Sequence, residues 1–118
     1  MVLSIFVDGS GGPEGGYGFF VKETGESFYK KEPNVTNNQA EYLAIIAALT
    51  KFSNSSDEII IYSDSKNTVS QLNHEFAINN SQLRVLAMQA WELVGKIQNL
   101  RIKWIPRAEN LAGKMLGS

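Results

Sequence analysis

Glu58-Ile59-Ile60-Ile61-Tyr62 is the stretch that decides how this chain folds. It is a short, nearly continuous apolar run, the pattern of a strand buried on both faces and paired in parallel. Working back from it, Ala40, Leu43, Ile46, Ala47 and Thr50 share one helical face, which predicts a helix over residues 38–51. Thr36 followed three residues later by Gln39 reads as its capping box. Further back, residues 2–8, Tyr17 to Lys22 and Ser27 to Lys31 read as an antiparallel meander of three strands. The glycine-dense segment Gly9 to Gly16 reads as a loop between the first two.

Working forward, Ser65 to Asn73 reads as a helix with Val69 and Leu72 inward. A polar break from His74 to Gln82 precedes a third helix, whose inward stripe is Leu83, Leu86, Ala87, Ala90, Val94 and Ile97, with Met88 to one side. Leu100 to Ile105 reads as the last strand and Asn110 to Leu116 as a short terminal helix. Three strands followed by alternating helix and strand predict an α/β layered domain with a mixed sheet. With 118 residues, one domain over residues 1–118 is expected.

Composition narrows the chemistry. Apolar content of 43% and charged content of 19% are those of an ordinary soluble globular protein. The longest apolar stretch, Tyr42 to Leu49, is too short to span a membrane, and the N-terminus lacks the basic leader of a signal peptide. A cytoplasmic monomer with no obligate protein partner is the expectation. The absence of cysteine excludes disulfides, thiolate catalysis and cysteine-type zinc sites, and the single histidine, His74, excludes a multi-histidine metal site within one chain. Net charge is −1, from 11 Lys plus Arg against 12 Asp plus Glu, whereas chains that bind nucleic acid chiefly by counterion release are usually far more basic.

Three carboxylates stand where elements begin or end. Asp8 lies where the first strand gives way to the glycine-rich segment, Glu41 near the start of the first helix, and Asp64 just after the Ile59-Ile60-Ile61 run. If the strands bearing Asp8 and Asp64 are neighbours, their side chains emerge together at a sheet edge. Clustered carboxylates repel one another and need compensation, which a hard divalent cation supplies through oxygen ligands. Each residue also has an ordinary reading: Asp64 as a helix cap, Glu41 as a helix-dipole residue, Asp8 as a turn aspartate. Spacing alone leaves both readings open. The glycine segment matches neither Gly-x-Gly-x-x-Gly nor a phosphate-binding Gly-x-x-x-x-Gly-Lys-Ser/Thr, so nucleotide binding is poorly supported. Trp91 and Trp104 read as core aromatics rather than base-stacking platforms.

The strings Phe6-Val7-Asp8-Gly9-Ser10, Tyr17-Gly18, Thr36-Asn37-Asn38-Gln39-Ala40-Glu41-Tyr42, Tyr62-Ser63-Asp64-Ser65 and Trp104-Ile105-Pro106-Arg107-Ala108-Glu109-Asn110 stand in order. Together they resemble type 1 ribonuclease H across nearly the whole chain. The resemblance implies a five-stranded mixed sheet in the order 3-2-1-4-5 flanked by helices. It implies endonucleolytic cleavage of the RNA strand of RNA/DNA hybrids with two Mg²⁺ or Mn²⁺ ions, leaving 5′-phosphate and 3′-hydroxyl ends. By position, Asp8, Glu41 and Asp64 match metal ligands. Asn37 and Asn38, with the backbone of Gly9, Ser10 and Gly11, match the region that reads RNA 2′-hydroxyls. Thr36 matches a residue that holds a DNA-strand phosphate.

Three departures from the family pattern matter. In one register the fourth carboxylate falls on Lys114, which cannot bind a cation; in a shorter-loop register Asn110 takes the place, with an oxygen that can serve Mg²⁺, and Glu109 is a third candidate. The loop before the last helix has no histidine, Arg107 being the nearest polar substitute, and His74 reads as a solvated residue after a helix. The basic protrusion carried by many members is missing, since His74 to Gln82 contains no lysine or arginine. Substrate contact then falls to the few remaining cations, such as Lys66, Arg84 and Arg107, and is expected to be strongly salt-dependent. The alternative expectation is a catalytically weak or inactive member that binds RNA or hybrids.

Overall fold

A computed structural model describes residues 1–115, without the side chains of Lys114 and Met115; the end of the expected terminal helix at Leu116 lies outside the described residues. The chain runs β1 (Val2–Ser10), β2 (Gly16–Val21), β3 (Ser27–Lys31), α1 (Asn37–Lys51), β4 (Glu58–Ser63), α2 (Lys66–Leu72), α3 (Ser81–Val94), β5 (Leu100–Trp104), a 3₁₀ turn (Arg107–Glu109) and α4 (Leu111–Met115). The strands form one sheet in the order β3-β2-β1-β4-β5. The first three pair antiparallel, while β4 pairs in parallel with both β1 and β5. The expected mixed sheet and strand order are therefore present.

Register explains the core. Ile5 stands opposite Val21 and Ile61, and Ile61 opposite Ile102, so one row of side chains crosses four strands on a single face. All four are buried. α1 packs over β1 and β2 on one side and against α3 on the other. That double contact moves its buried face from the expected one. Ala40 is buried as expected, but Glu41, Tyr42, Ala44, Ile45, Ala48 and Leu49 are buried with it, whereas Leu43, Ile46 and Ala47 are half-buried and Thr50 is exposed. The helix is apolar nearly all round from Tyr42 to Leu49, so its sequence contains more than one plausible stripe. The corrected phase matters, because it puts Glu41 at the head of the core stripe. The inward positions of α3 fall largely as expected: Leu83, Ala87 and Ala90 are buried, Ile97 is buried beyond the helix end, and Met88 is exposed.

The glycine segment is not all loop. Gly9 and Ser10 continue β1, paired with Tyr17 and Gly16, and Gly12 makes an isolated bridge to Val35. The reason is close approach. A Cβ on Gly9 would strike the backbone of Ala40 and Glu41, and one on Gly11 would strike Val35, Thr36 and Asn37. Without side chains there, the N-terminal end of α1 lies directly on the end of β1.

Candidate metal centre

Asp8 belongs to β1, paired opposite Gly18, and is not a turn aspartate. The β1–β4 register, Phe6 opposite Tyr62, carries Asp64 alongside Asp8 just past the paired residues. Asp64 does not cap α2: Ser65 does, accepting from the Thr68 N–H at 3.4 Å. Glu41 lies in the second turn of α1, beyond the residues whose free N–H groups form the helix's positive end. The cap there is Thr36, whose Oγ1 accepts from the Gln39 N–H at 3.0 Å while Gln39 Oε1 accepts from the Thr36 N–H at 2.8 Å, the reciprocal box the sequence indicates.

The three carboxylates converge, with one oxygen from each of Asp8, Glu41 and Asp64 lying within 4.8 Å of one another. Asp8 and Glu41 are 3% and 6% exposed, so little water screens their repulsion. Burial first, then the charges of Asp8 and Asp64, push the Glu41 carboxyl up from 4.5 to about 8, against the opposing pull of hydrogen bonds from the Gly9 N–H at 3.3 Å and the Ser63 hydroxyl at 3.3 Å. Such a cluster is a poor place for three negative charges and a good one for a hard cation. Its donors are all carboxylate oxygens, the set that suits Mg²⁺ or Mn²⁺ and that contains no soft ligand for zinc or copper.

Asn110 stands beside this cluster, fully buried. The sequence suggested its oxygen as a fourth ligand; in the structure the carboxamide NH₂ faces Asp64 Oδ2 at 3.0 Å, and Oδ1 accepts from the Ala112 N–H at 3.0 Å. Glu109 is exposed in the 3₁₀ turn and is not one of the converging carboxylates. Arg107 Nε lies 3.9 Å from Asp64 Oδ2 on a side chain that is 76% exposed, a weak and solvent-screened pairing.

The remaining candidate residues sit at the end of β1, around the start of α1, at the start of α2 and in the 3₁₀ turn. Asn37 Oδ1 accepts from the Gly11 N–H at 2.7 Å, fixing the end of α1 to the glycine segment. Asn37, Asn38, Thr36 and Ser10 are exposed, while Gly9 and Gly11 are partly so. Trp104 corrects an expectation: it is 47% exposed, not core. Its indole N–H donates to the Asp64 backbone carbonyl at 3.2 Å, and Lys66 Nζ lies 5.9 Å from its ring centroid. Its place in a strand carries no local sign of this contact with Asp64, which arises between residues 40 positions apart. Trp91 is half-buried on α3, donates to the Leu72 carbonyl at 3.1 Å, and carries His74 stacked on it with ring centroids 4.8 Å apart. His74 is exposed, as expected, with φ +64.

A mixed five-stranded sheet with three converging carboxylates at one end defines an acidic-cluster α/β protein. Comparison with known proteins gives the family: residues 2–112 match the RNase H family, and the chain belongs to it. It is 28% identical to the EbsB protein of Enterococcus faecalis, over 98% of this chain and 90% of that protein. It is 34% identical to ribonuclease HI of Halobacterium salinarum over 90% of this chain, but spans only 48% of that longer protein. Among solved structures, the N-terminal RNase H domain of a Mycobacterium tuberculosis protein, determined as a fusion with maltose-binding protein, superposes with a TM-score of 0.85. That match has 26% identity and covers 98% of this chain and 89% of the other.

Proposed function

We propose that this chain is an endonuclease domain that hydrolyses the RNA strand of RNA/DNA hybrids with divalent cations, Mg²⁺ or Mn²⁺, leaving 5′-phosphate and 3′-hydroxyl ends. The observation that carries the reading is the convergence of Asp8, Glu41 and Asp64 at the end of β1 and β4 in a chain of the RNase H family. Membership and the 34% identity to a ribonuclease HI support RNA/DNA hybrid as the substrate class. Two cations bound among these carboxylates would activate the attacking water and stabilise the leaving oxygen.

The protein's own residues do the rest. Asp8 and Glu41 offer buried oxygens whose mutual repulsion a cation relieves, which couples cation binding to the geometry of the site. Asn37 holds its oxygen on the Gly11 N–H, and its NH₂ makes no hydrogen bond among the described residues, so it is available to an RNA 2′-hydroxyl in the minor groove. Asn38, Thr36 and the Gly9 to Gly11 backbone flank it. Lys66 and Arg107 bring positive charge to the rim on the Asp64 side, where a phosphate chain would pass.

A second reading, a member that binds hybrids but cleaves them weakly or not at all, is favoured by one observation: the fourth corner of the cluster is a neutral NH₂ group. One experiment separates the two. Purified protein and Asp8→Asn are incubated with labelled RNA/DNA hybrid, RNA duplex and DNA duplex in Mg²⁺ and in Mn²⁺. Cleavage of the hybrid alone by wild type, reduced by about 10³-fold or more in Asp8→Asn, is expected on the scale of losing transition-state stabilisation by a bound cation. Hybrid binding with equal background cleavage in both proteins would establish the second reading instead.

A further inference from the structure

The Asn110 side chain makes three hydrogen bonds from a fully buried position. Its Nδ2 donates to the Val7 carbonyl at 2.9 Å and to Asp64 Oδ2 at 3.0 Å, and its Oδ1 accepts from the Ala112 N–H at 3.0 Å. Chemistry fixes this orientation. A backbone carbonyl can only accept and a backbone N–H can only donate, so the Val7 carbonyl and the Ala112 N–H between them set which end of the carboxamide is which. Turning the carboxamide over would set its oxygen against two acceptors and its NH₂ against a donor, losing all three bonds in a place where water cannot replace them.

We propose that Asn110 is a positioning residue that preassembles Asp64 as a hydrogen-bond donor and does not itself ligate the cation. The inference rests on the cation reading above. Its two donor bonds tie the end of β1 to the carboxylate that follows β4, and its oxygen anchors the first turn of α4 to the same point. It also completes a pattern: Glu41 is met by the Gly9 N–H and the Ser63 hydroxyl, and Asp64 by the Asn110 NH₂. Neutral donors from neighbouring elements thus hold these carboxylates in place before any cation arrives. A carboxylate at position 110 would remove both donor bonds and set a further acidic group directly against Asp64. An alanine would leave the Val7 carbonyl and Asp64 without these partners.

The test uses the intact chain and reads binding and stability rather than turnover. In ¹⁵N-labelled wild type, the Asn110 side-chain NH₂ pair and the Ala112 amide should be protected from exchange in EDTA. They should remain protected at saturating Mg²⁺, while backbone amides around Asp8, Glu41 and Asp64 shift. Loss of that protection on adding Mg²⁺ would mean that the carboxamide turns to offer its oxygen, which overturns the proposal. No Mg²⁺-dependent shift around the three carboxylates overturns the cation reading, and this proposal with it. In EDTA, Asn110→Ala and Asn110→Asp should each melt about 4 °C or more below wild type, the scale expected for losing buried hydrogen bonds in a chain of this size. A residue acting only as a ligand would leave metal-free melting unchanged, and that result also overturns the proposal. Should either variant fail to fold, the exchange measurement on wild type decides alone.

Discussion

Asp8 and Glu41 are brought together by backbone, whereas Asp64 is held by side chains arriving from the far end of the chain. On the first side, a strand and a helix meet because Gly9 has no Cβ, and the Gly9 N–H itself donates to Glu41. On the second, Asn110, Trp104 and Arg107 surround Asp64 from β5, the 3₁₀ turn and the start of α4. The contrast concerns tolerance. A backbone approach is all or nothing, because a single added carbon pushes two elements apart. Side-chain support is graded, because each contact can be removed by itself and the exposed ones contribute little.

Breaking the backbone half should have the largest effect. Gly9→Ala drives a methyl group into the Ala40 carbonyl and lifts the start of α1, displacing Glu41 from Asp8. A loss of about 1–3 kcal/mol in urea unfolding is expected. A fall in hybrid cleavage on the order of 10²-fold should accompany it, the usual effect of misplacing a reacting group by about 1 Å. Wild-type cleavage by a stably folded Gly9→Ala would show that the close approach does not set the site.

An intermediate effect separates the electrostatics of that half from its packing. Folding raises the Glu41 carboxyl from 4.5 to about 8, so the folded state favours its protonated form. The stability this group contributes is fully present below pH 4.5 and is lost as pH rises to about 8. Metal-free protein should therefore gain stability from Glu41→Gln, and the gain should grow across that window. Mg²⁺ should recover the loss in wild type but less in the variant. Melting curves in EDTA that stay parallel for the two proteins from acid to alkaline pH would contradict this.

The smallest effects belong on the exposed side of Asp64. Trp104→Phe removes the N–H that meets the Asp64 carbonyl while keeping a ring near Lys66. It should cost no more than about 1 kcal/mol in stability, with a rise in KM of less than about tenfold. Arg107→Ala should leave melting within about 1 kcal/mol of wild type, because its pairing is long and solvated. Equal or greater damage from Trp104→Phe than from Gly9→Ala would reverse the comparison between the two halves.

Much of this was legible from local pattern. The Ile59-Ile60-Ile61 run marks a buried strand because a covered sheet interior accepts apolar residues on both faces. The Thr36 and Gln39 box marks a helix start because its hydrogen bonds lie within a single turn. Those signals fix the order of the elements and set Asp8 and Asp64 at strand ends. They also leave each carboxylate with an ordinary reading, as cap, turn or dipole residue, that only the folded chain removes.

Read locally, the sequence determined the succession of strands and helices and the residue types available for chemistry, since periodicity, caps and turns act over a few neighbouring residues; its resemblance to ribonuclease H added the strand order and the three carboxylates expected to hold metal. Tertiary structure decided the rest. It chose the face of α1 that is buried, because that helix has two partners and an apolar surface that suits either. It drew Gly9 and Ser10 into β1, because the packing of α1 onto that strand end needs residues without a Cβ at Gly9 and Gly11. It also set the direction of the Asn110 carboxamide, through a bond to a carbonyl 103 residues away that no local rule can anticipate. The three carboxylates are written in the chain; their convergence, and the donor that stands beside them, belong to the fold.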